Sequence, residues 1–277
     1  MSKKKVLIVT QEMHPYTSLS DISKIARKLP QEIQESGMEI RVLMPRFGTI
    51  NERRHRLHEV VRLSGMNIIV DDDDYPLIIK VASLPEARMQ VYFLDNEDFF
   101  KRKQIFKDDE GVPFDDNPDR MVFFCKGVIE TVKKFGWPPD IVHCHGWMTS
   151  LIPLYLKTAY KNEPLFQHAK VVYSVYDNNP LEKTFNSQFI AKASINNLTE
   201  EDLGAYQNGA GITLHKGAIT YADAVVMGSG NVGDSLKKSL AAADKPILEY
   251  QGDEEGGLSH YLEFYNMLSA EEVEEGK

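Results

Sequence analysis

The stretch VLIVTQEMHPYTSLSD, residues 6–21, predicts the fold class of this chain. Its first four residues are apolar without interruption, as in a strand that is covered on both faces of a sheet. The polar segment after them occupies the place where many α/β proteins carry a glycine-rich turn that holds phosphate. This turn contains no glycine. The sequence therefore predicts a buried strand followed by a loop that is poorly suited to phosphate.

Further strand candidates alternate with helix candidates along the chain. Apolar strand-like runs occur at 40–44, 66–70, 77–82, 89–94, 141–143, 171–175 and 224–227. Helices are predicted at 118–135, at 148–161, and after Asp21, where Asp21 caps the helix, Pro30 interrupts and kinks it, and Gly37 ends it. Strands separated by helices favour a parallel sheet covered on both faces. We predict an α/β fold, a single Rossmann-like domain with a mostly parallel sheet and ligands at the carboxyl ends of the strands.

Composition excludes several classes of protein. The 277 residues carry a net charge of −9, which argues against a nucleic-acid partner because such proteins need a basic face. The two cysteines, Cys125 and Cys144, have no paired motif spacing and indicate a reducing interior. No apolar run is long enough for a signal peptide or a membrane span. The sequence therefore predicts a cytoplasmic protein with no nucleic-acid and no membrane partner.

The segment DIVHCHGWMTS, residues 140–150, carries the sharpest local pattern. On an extended segment, His143 and His145 point to the same side, and Trp147 follows just beyond. Two imidazoles and an indole would then line one wall of a cleft. No third ligand stands at a metal-site spacing, so no metal is expected. The alternative is a partly buried histidine pair whose hydrogen bonds are satisfied within the protein.

Three surface stretches have simpler interpretations. DDDDYP, residues 71–76, is expected to be an acidic hairpin tip rather than a calcium loop. The basic stretch 50–65 is expected to turn Leu57, Val60, Val61 and Leu63 inward and its arginines outward, and an anion or partner contact is the alternative. Residues 257–275 predict a helix that packs through Leu258, Tyr261, Leu262, Tyr265 and Leu268.

Five segments, in order and at matching spacing, resemble the starch and glycogen synthase family. PDIVHCHGWMTSLIPLYL, residues 139–156, resembles the family's P-D-V-V-H-A-H-D-W-H-T-G-L-x-P-L-x-L. ESGMEIRVLMPRFG resembles E-x-G-H-D-V-R-V-x-x-P-x-Y-G, and VYFLDNEDFFKR resembles V-Y-F-x-D-x-x-x-Y-F-x-R. FDDNPDRMVFFCKGVIE and ITLHKGAITYADAVVMGS resemble the family's Y-x-D-N-x-x-R-F-x-F-F and N-x-x-K-G-x-x-x-A-D-x-V-x-T-V-S. The resemblance runs from about residue 3 to about residue 236.

The resemblance implies a retaining glucosyltransferase that moves glucose from ADP-glucose onto an α-1,4-glucan. It implies a GT-B arrangement of two lobes, of which residues 1–240 resemble the N-terminal lobe and 241–277 form an acidic tail with a packing helix. By resemblance, His145 is the catalytic candidate close to the transferred glucose. The resemblance also assigns substrate binding to Asp116, Asn117, His143 and Trp147. Ligands are then an α-glucan and ADP-glucose, with no cofactor.

The sequence also departs from the family. The family's loop E-x-x-P-F-x-K-T-G-G-L becomes a degenerate donor-phosphate loop at Ser18, Leu19, Ser20 and Asp21. A neutral serine replaces the phosphate-binding lysine, and a carboxylate is added beside it, which is unfavourable next to a pyrophosphate. In the family's T-x-H-N segment, Tyr176 replaces the histidine and Asp177 the asparagine. In its H-D-W-H segment, Gly146 replaces the aspartate and Met148 the second histidine. No segment maps onto the family's second lobe.

Three functions remain open on these grounds. The chain is an enzyme component that binds α-glucan and assists glucosyl transfer, with a partner protein supplying the nucleotide lobe. Alternatively, it is a non-catalytic glucan-binding or regulatory module of glycogen metabolism. A third possibility is a different sugar-nucleotide enzyme that uses this lobe as a dimer.

Overall fold

A computed structural model describes residues 3–87, 89–176, 180–195, 198–209, 211–252 and 258–275. The apolar runs form strands where the sequence predicts them, with bounds that differ by a few residues. The strands are β1 Lys5–Thr10, β2 Glu39–Pro45, β3 His58–Glu59, β4 Met66–Val70, β5 Asp73–Ser83, β6 Gln90–Asp95, β7 Ile141–His145, β8 Lys170–Val175, β9 Gln207–Asn208, β10 Gly211–Ile212, β11 Ala224–Met227 and β12 Ile247–Leu248.

The helices fall between the strands, as predicted. They are α1 Ile22–Glu35, α2 Glu52–His55, α3 Glu97–Phe100, α4 Asn117–Phe135, α5 Leu151–Lys157, α6 Gln188–Ala193, α7 Glu200–Gly204, α8 Leu214–Tyr221, α9 Asp234–Ala242 and α10 Ser259–Glu275. Short 3₁₀ turns cover Trp147–Thr149 and Pro180–Thr184. The helix predicted at 148–161 is therefore a 3₁₀ turn followed by the shorter α5.

The main sheet is mostly parallel, which confirms the predicted fold class. Its strand order is β12-β11-β8-β7-β1-β2-β6-β5-β3, with β4 paired to β5. Every neighbouring pair from β12 to β6 is parallel. β5 runs antiparallel to β6, β3 and β4. The antiparallel strands thus extend one side of a parallel Rossmann-like core.

The strand order reverses between β1 and β7. From β1 the chain builds outward through β2 and β6, then returns to the other side of β1 with β7 and β8. At such a switch point the loops after the two central strands lead to opposite faces of the sheet and leave a crevice between them. Residues 6–9 of β1 are completely buried there, as expected for a strand covered on both faces. The sheet therefore places a cleft beside the loops that follow β1 and β7.

Helix α1 differs from prediction at two positions. It runs without a break through Pro30, which is buried, so the predicted interruption is wrong. Asp21 stands at the helix start, but its carboxylate makes no cap hydrogen bond and instead pairs with Lys24 at 2.8 Å. Gly37, with φ +91°, follows the helix end as predicted.

Two surface expectations also change. The acidic tip is only two residues long, because residues 73–76 of the DDDDYP stretch belong to β5, and Asp71 takes the left-handed conformation that closes the turn. The basic stretch is not one amphipathic element but α2, β3 and a turn. Its Leu63 is buried, whereas Val61 is 78% exposed, so the inward orientation predicted for Val61 is wrong.

Helix α10 returns across the sheet. Its side chains Tyr261, Phe264, Tyr265 and Leu268 are buried. The ammonium group of Lys4, before β1, donates to the Asn266 side chain at 2.8 Å. The last helix therefore ties to the first strand and covers the residues beneath it.

Candidate functional site

A cleft of about 720 Å³ lies at the carboxyl edge of the sheet. Gln11 and Glu12 reach it from the end of β1, and Gly146 and Trp147 reach it from the end of β7. The predicted loop contributes Leu19, Ser20 and Asp21 to the opposite rim. The cleft at the switch point therefore brings together the two segments that the sequence singled out.

Gly146 allows the backbone to turn from β7 into this cleft. Its φ is +88°, and a Cβ atom at this position would lie 2.3 Å from the side-chain oxygen of Gln11. The same oxygen accepts a hydrogen bond from the backbone N–H of Met148 at 3.4 Å. A residue with a side chain would therefore be strained at position 146 and would displace Gln11.

The carboxylate of Glu12 holds the loop for which the sequence predicts a degenerate phosphate site. It accepts hydrogen bonds from the backbone N–H groups of Leu19 at 2.6 Å and Ser20 at 2.9 Å, and from the Ser20 hydroxyl at 2.5 Å. Ser18 contacts His14 at 3.3 Å, outside this set. Backbone N–H groups are the usual ligands of phosphate in such loops. Here a carboxylate of the chain itself already occupies two of them.

His143 and His145 do point to the same side of β7, with ring centroids 4.0 Å apart. Both are completely buried, however, so they do not form an exposed cleft wall. His143 lies under α10, with Nδ1 2.6 Å from the Tyr265 hydroxyl and Nε2 2.7 Å from the Ser174 hydroxyl. Both ring nitrogens of His143 are thus engaged within the protein. Burial and the neighbouring His145 lower the pKa of His143 well below its usual value.

His145 is engaged on one nitrogen only. Its Nδ1 lies 2.8 Å from the hydroxyl of Tyr176, a residue that lines the cleft. Its Nε2 is buried and has no hydrogen-bond partner among the described residues. Burial lowers the pKa of His145 to about 3, so the ring is neutral near pH 7. Asp177, the other residue of the altered family segment, lies outside the described residues.

Trp147 forms an aromatic wall of the cleft. Its ring centroid lies 4.9 Å from that of Phe106 and 5.7 Å from that of Phe185. Phe106 and the cationic Lys107 line the same cleft. The site therefore combines an apolar surface with polar groups, as saccharide and cofactor sites commonly do.

Asp116 and Asn117 stand at the start of α4 and bond to neighbouring protein groups. Both oxygens of Asp116 accept hydrogen bonds from the guanidinium of Arg102. The Asn117 side chain donates to the Phe106 carbonyl at 2.9 Å and accepts from the guanidinium of Arg120, also at 2.9 Å. Asn117 is completely buried. These residues hold the segment that carries Phe106, so their link to the cleft runs through that segment.

Sequence reasoning missed several cleft residues, of which Glu12 and His215 are ionisable and bear on the chemistry. Glu12 and His215 were not singled out, although both line the cleft. Glu12 directly follows β1, and His215 stands in the first turn of α8. Polar residues just after predicted strands and at helix starts were the available signal, but the distant loop and strand that they contact were not visible in the sequence.

The described ranges contain neither a metal-binding cluster nor a membrane-spanning helix. No group of three or more His, Cys, Asp or Glu side chains in these ranges is placed to hold a metal ion. No helix in the same ranges is long and apolar enough to cross a lipid bilayer.

The fold and its cleft define the class of this protein: an α/β lobe of the GT-B type. The catalytic domain of Starch Synthase IV from Arabidopsis thaliana, bound to ADP and acarbose, superposes with a TM-score of 0.74 at 18% sequence identity. The superposition covers 90% of this chain and 51% of that one. At this identity, the likeness concerns the fold.

Sequence comparison supplies the family. Residues 5–242 match the model of the starch synthase catalytic domain, so the chain belongs to this family. The glycogen synthases of Pelodictyon phaeoclathratiforme and Chlorobium limicola are 42% and 41% identical over 174 residues, 62% of this chain. The chain covers 36% of the length of each of these relatives.

Proposed function

We propose that this chain forms the α-glucan-facing lobe of a glycogen or starch synthase-type glucosyltransferase. In this role the cleft binds the nonreducing end of an α-1,4-glucan, and glucose arrives from ADP-glucose. Because the aligned segment spans only 36% of the length of the curated relatives, we propose that a second lobe, supplied by another chain or by further sequence, holds the nucleotide. Residues 1–240 then act as the N-terminal-like lobe, with 241–277 as its tail.

The observation that carries this proposal is the buried Nε2 atom of His145, which has no hydrogen-bond partner among the described residues and directly precedes the cleft-lining Gly146. Buried polar atoms nearly always have a hydrogen-bond partner, so an unpaired one next to a cleft indicates a missing ligand. The ring is neutral near pH 7 because burial lowers its pKa. A neutral imidazole suits a sugar hydroxyl, which both donates and accepts hydrogen bonds.

The surrounding groups fit the same ligand class. Trp147, packed against Phe106 and Phe185, gives the cleft a mostly buried apolar wall, and Lys107 contributes a cation to the lining. Glucosyl transfer further requires that water be excluded, since the donor is otherwise hydrolysed. A single open cleft does not do this, which is the physical reason for proposing the second lobe.

Glycogen retention tests the ligand assignment. On native gels that contain glycogen, we expect the wild-type chain to be retarded and His145→Ala to migrate more freely. His168→Ala is the matched control, because His168 is exposed and precedes β8 at the opposite edge of the sheet. Wild-type mobility unaffected by glycogen would contradict the proposal.

A second candidate function is a glucan-binding module that has lost donor binding. It is favoured by one observation: the Glu12 carboxylate occupies loop N–H groups that a phosphate would need, and Asp21 adds a further carboxylate at the rim. A like charge close to a phosphate costs about 1–4 kcal/mol, depending on exposure. In this case the chain retains saccharide but does not take up ADP-glucose.

Transfer of label from ADP-glucose into glycogen separates the two candidates. Incorporation that is lost in His145→Ala supports the transferase lobe. Retention on glycogen gels without incorporation supports the binding module. As a further arm, the triple change Ser18→Lys, Ser20→Gly and Asp21→Gly is expected to raise ADP-glucose affinity if a donor binds at this loop. Unchanged affinity would show that the loop faces no donor.

A further inference from the structure

His215 lies within the same cleft but outside every segment assigned a role above. It belongs to α8, on the side of the cleft reached from β8 and β11, whereas His145 belongs to β7. Its side chain is 3% exposed, so it is held within the wall rather than loose on the surface. The position therefore supplies an imidazole that lines the cleft and is separate from that of His145.

The imidazole of His215 is fixed in orientation. Its Nδ1 lies 2.8 Å from the hydroxyl of Tyr173, which is itself completely buried in β8. The carboxylate of Glu182 accepts hydrogen bonds from the first backbone N–H groups of α8, those of Leu214 and His215. Both the backbone and the ring are thus anchored, and this degree of fixation is what a binding group needs to be preorganised.

Among the described residues, one nitrogen of the ring makes no hydrogen bond. The hydrogen bonds of His215 side-chain atoms within the described ranges are made through Nδ1, so Nε2 is the nitrogen that remains. Burial lowers the pKa of His215 to about 4, and the ring is therefore uncharged near pH 7. In a neutral imidazole one nitrogen donates and the other accepts, and the Tyr173 hydroxyl is able to serve either tautomer. A ligand hydroxyl can donate or accept a hydrogen bond. It can therefore pair with Nε2 whether Nε2 carries the proton or not.

We propose that His215 is a further saccharide-binding residue of the cleft, whose Nε2 exchanges a hydrogen bond with a sugar hydroxyl, and that Tyr173 is its positioning residue. This inference rests on the proposed glucan-binding function and names a residue that lies in one of the segments resembling the family but to which that resemblance assigns no role. The two imidazoles, from β7 and from α8, then address different hydroxyl groups of one saccharide end.

Calorimetric titration with maltoheptaose tests this contact. A single hydrogen bond contributes modestly, so we expect His215→Ala to weaken binding about 3- to 10-fold. His215→Gln places an amide near the position of Nε2 and is expected to recover part of that loss. Tyr173→Phe keeps the imidazole but frees its orientation, and we expect an intermediate loss of about 2- to 4-fold. His168→Ala is the exposed control, with unchanged affinity.

Nitrogen-15 spectra of the wild-type imidazoles provide a readout that does not depend on variants folding. Maltoheptaose is expected to shift the Nε2 resonance of His215, and Tyr173→Phe is expected to change the balance of its two tautomers. A merely structural role would lower the melting temperature of His215 variants without changing affinity or this resonance.

The outcomes separate the two proposals. A wild-type chain that binds no maltoheptaose at all would overturn the proposed function. Wild-type binding with an unshifted His215 resonance, and with unchanged affinity in both His215 variants, would overturn this inference alone.

Discussion

The hydroxyl of Tyr176 lies 2.8 Å from Nδ1 of His145 and thereby joins the end of β8 to the end of β7. Tyr176 replaces the histidine of the family's T-x-H-N segment. Its ring also fills the space above Gly228, where a Cβ atom would lie only 2.4 Å from a ring carbon. Tyr176 therefore packs against Gly228 through its ring and contacts His145 through its hydroxyl. The hydroxyl contact orients His145, the catalytic candidate.

Tyr176→Phe tests how much this contact stabilises the fold. The change leaves Nδ1 of His145 buried without a partner, which typically costs about 1–3 kcal/mol. We expect the free energy of unfolding in urea to fall by about that amount. Tyr92→Phe is the matched control, since the Tyr92 hydroxyl bonds Gln90 at the surface, and it should change stability by less than about 0.5 kcal/mol. Equal effects of both changes would contradict the role of the buried contact.

Gly146→Ala tests the turn from β7 into the cleft. The family carries an aspartate here, but φ of +88° and the Gln11 side chain exclude any Cβ atom in this chain. We expect a loss of about 1–3 kcal/mol in the free energy of unfolding. Gly111→Ala also has a positive φ but meets no atom within 4 Å, so it isolates the backbone contribution. A larger loss at Gly111 than at Gly146 would show that crowding by Gln11 is unimportant.

Asn117→Ala distinguishes a supporting role from a direct one. The side chain bridges the Phe106 carbonyl and the Arg120 guanidinium, so its removal leaves buried groups unpaired. We expect the free energy of unfolding to fall by about 1–3 kcal/mol, measured by urea titration. Asn266→Ala, at an exposed position on α10, is the control. A variant of unchanged stability that loses glycogen retention would instead indicate direct sugar contact by Asn117.

Stability should fall as the pH is lowered through the range of histidine titration. Burial lowers the pKa of His143 well below its usual value, that of His145 to about 3 and that of His215 to about 4. Above about pH 6.5 each ring is neutral in both states. Below it, the unfolded chain binds protons that the folded chain refuses, so the free energy of unfolding decreases until the pH reaches the folded pKa.

Between pH 6.5 and pH 5, the free energy of unfolding is expected to fall by about 1–2 kcal/mol for each buried histidine. Urea unfolding at several pH values measures it. His145→Gln should make the dependence of the free energy of unfolding on pH shallower by about one proton. An identical slope in the His145 variant and the wild type would contradict the buried, neutral state of this ring.

The strand pattern was predictable because it depends on local order along the chain. Residues 6–9 are apolar in succession, and a strand covered on both faces requires just such a run. The i, i+2 geometry of a strand likewise placed His143 and His145 on one side. The inward orientation of Val61 failed, since the basic stretch is broken into a helix, a strand and a turn that no single periodicity describes.

The amino-acid sequence by itself determined the α/β class, the parallel core and the absence of glycine at the loop after β1. Only the tertiary structure decided which groups occupy that loop and that cleft. Glu12 reaches Ser20 across a turn, His145 reaches Tyr176 on another strand, and Tyr173 reaches His215 in α8. Hydrogen bonds act over about 3 Å, and such distances between residues far apart in sequence exist only after the sheet has brought the strand ends together.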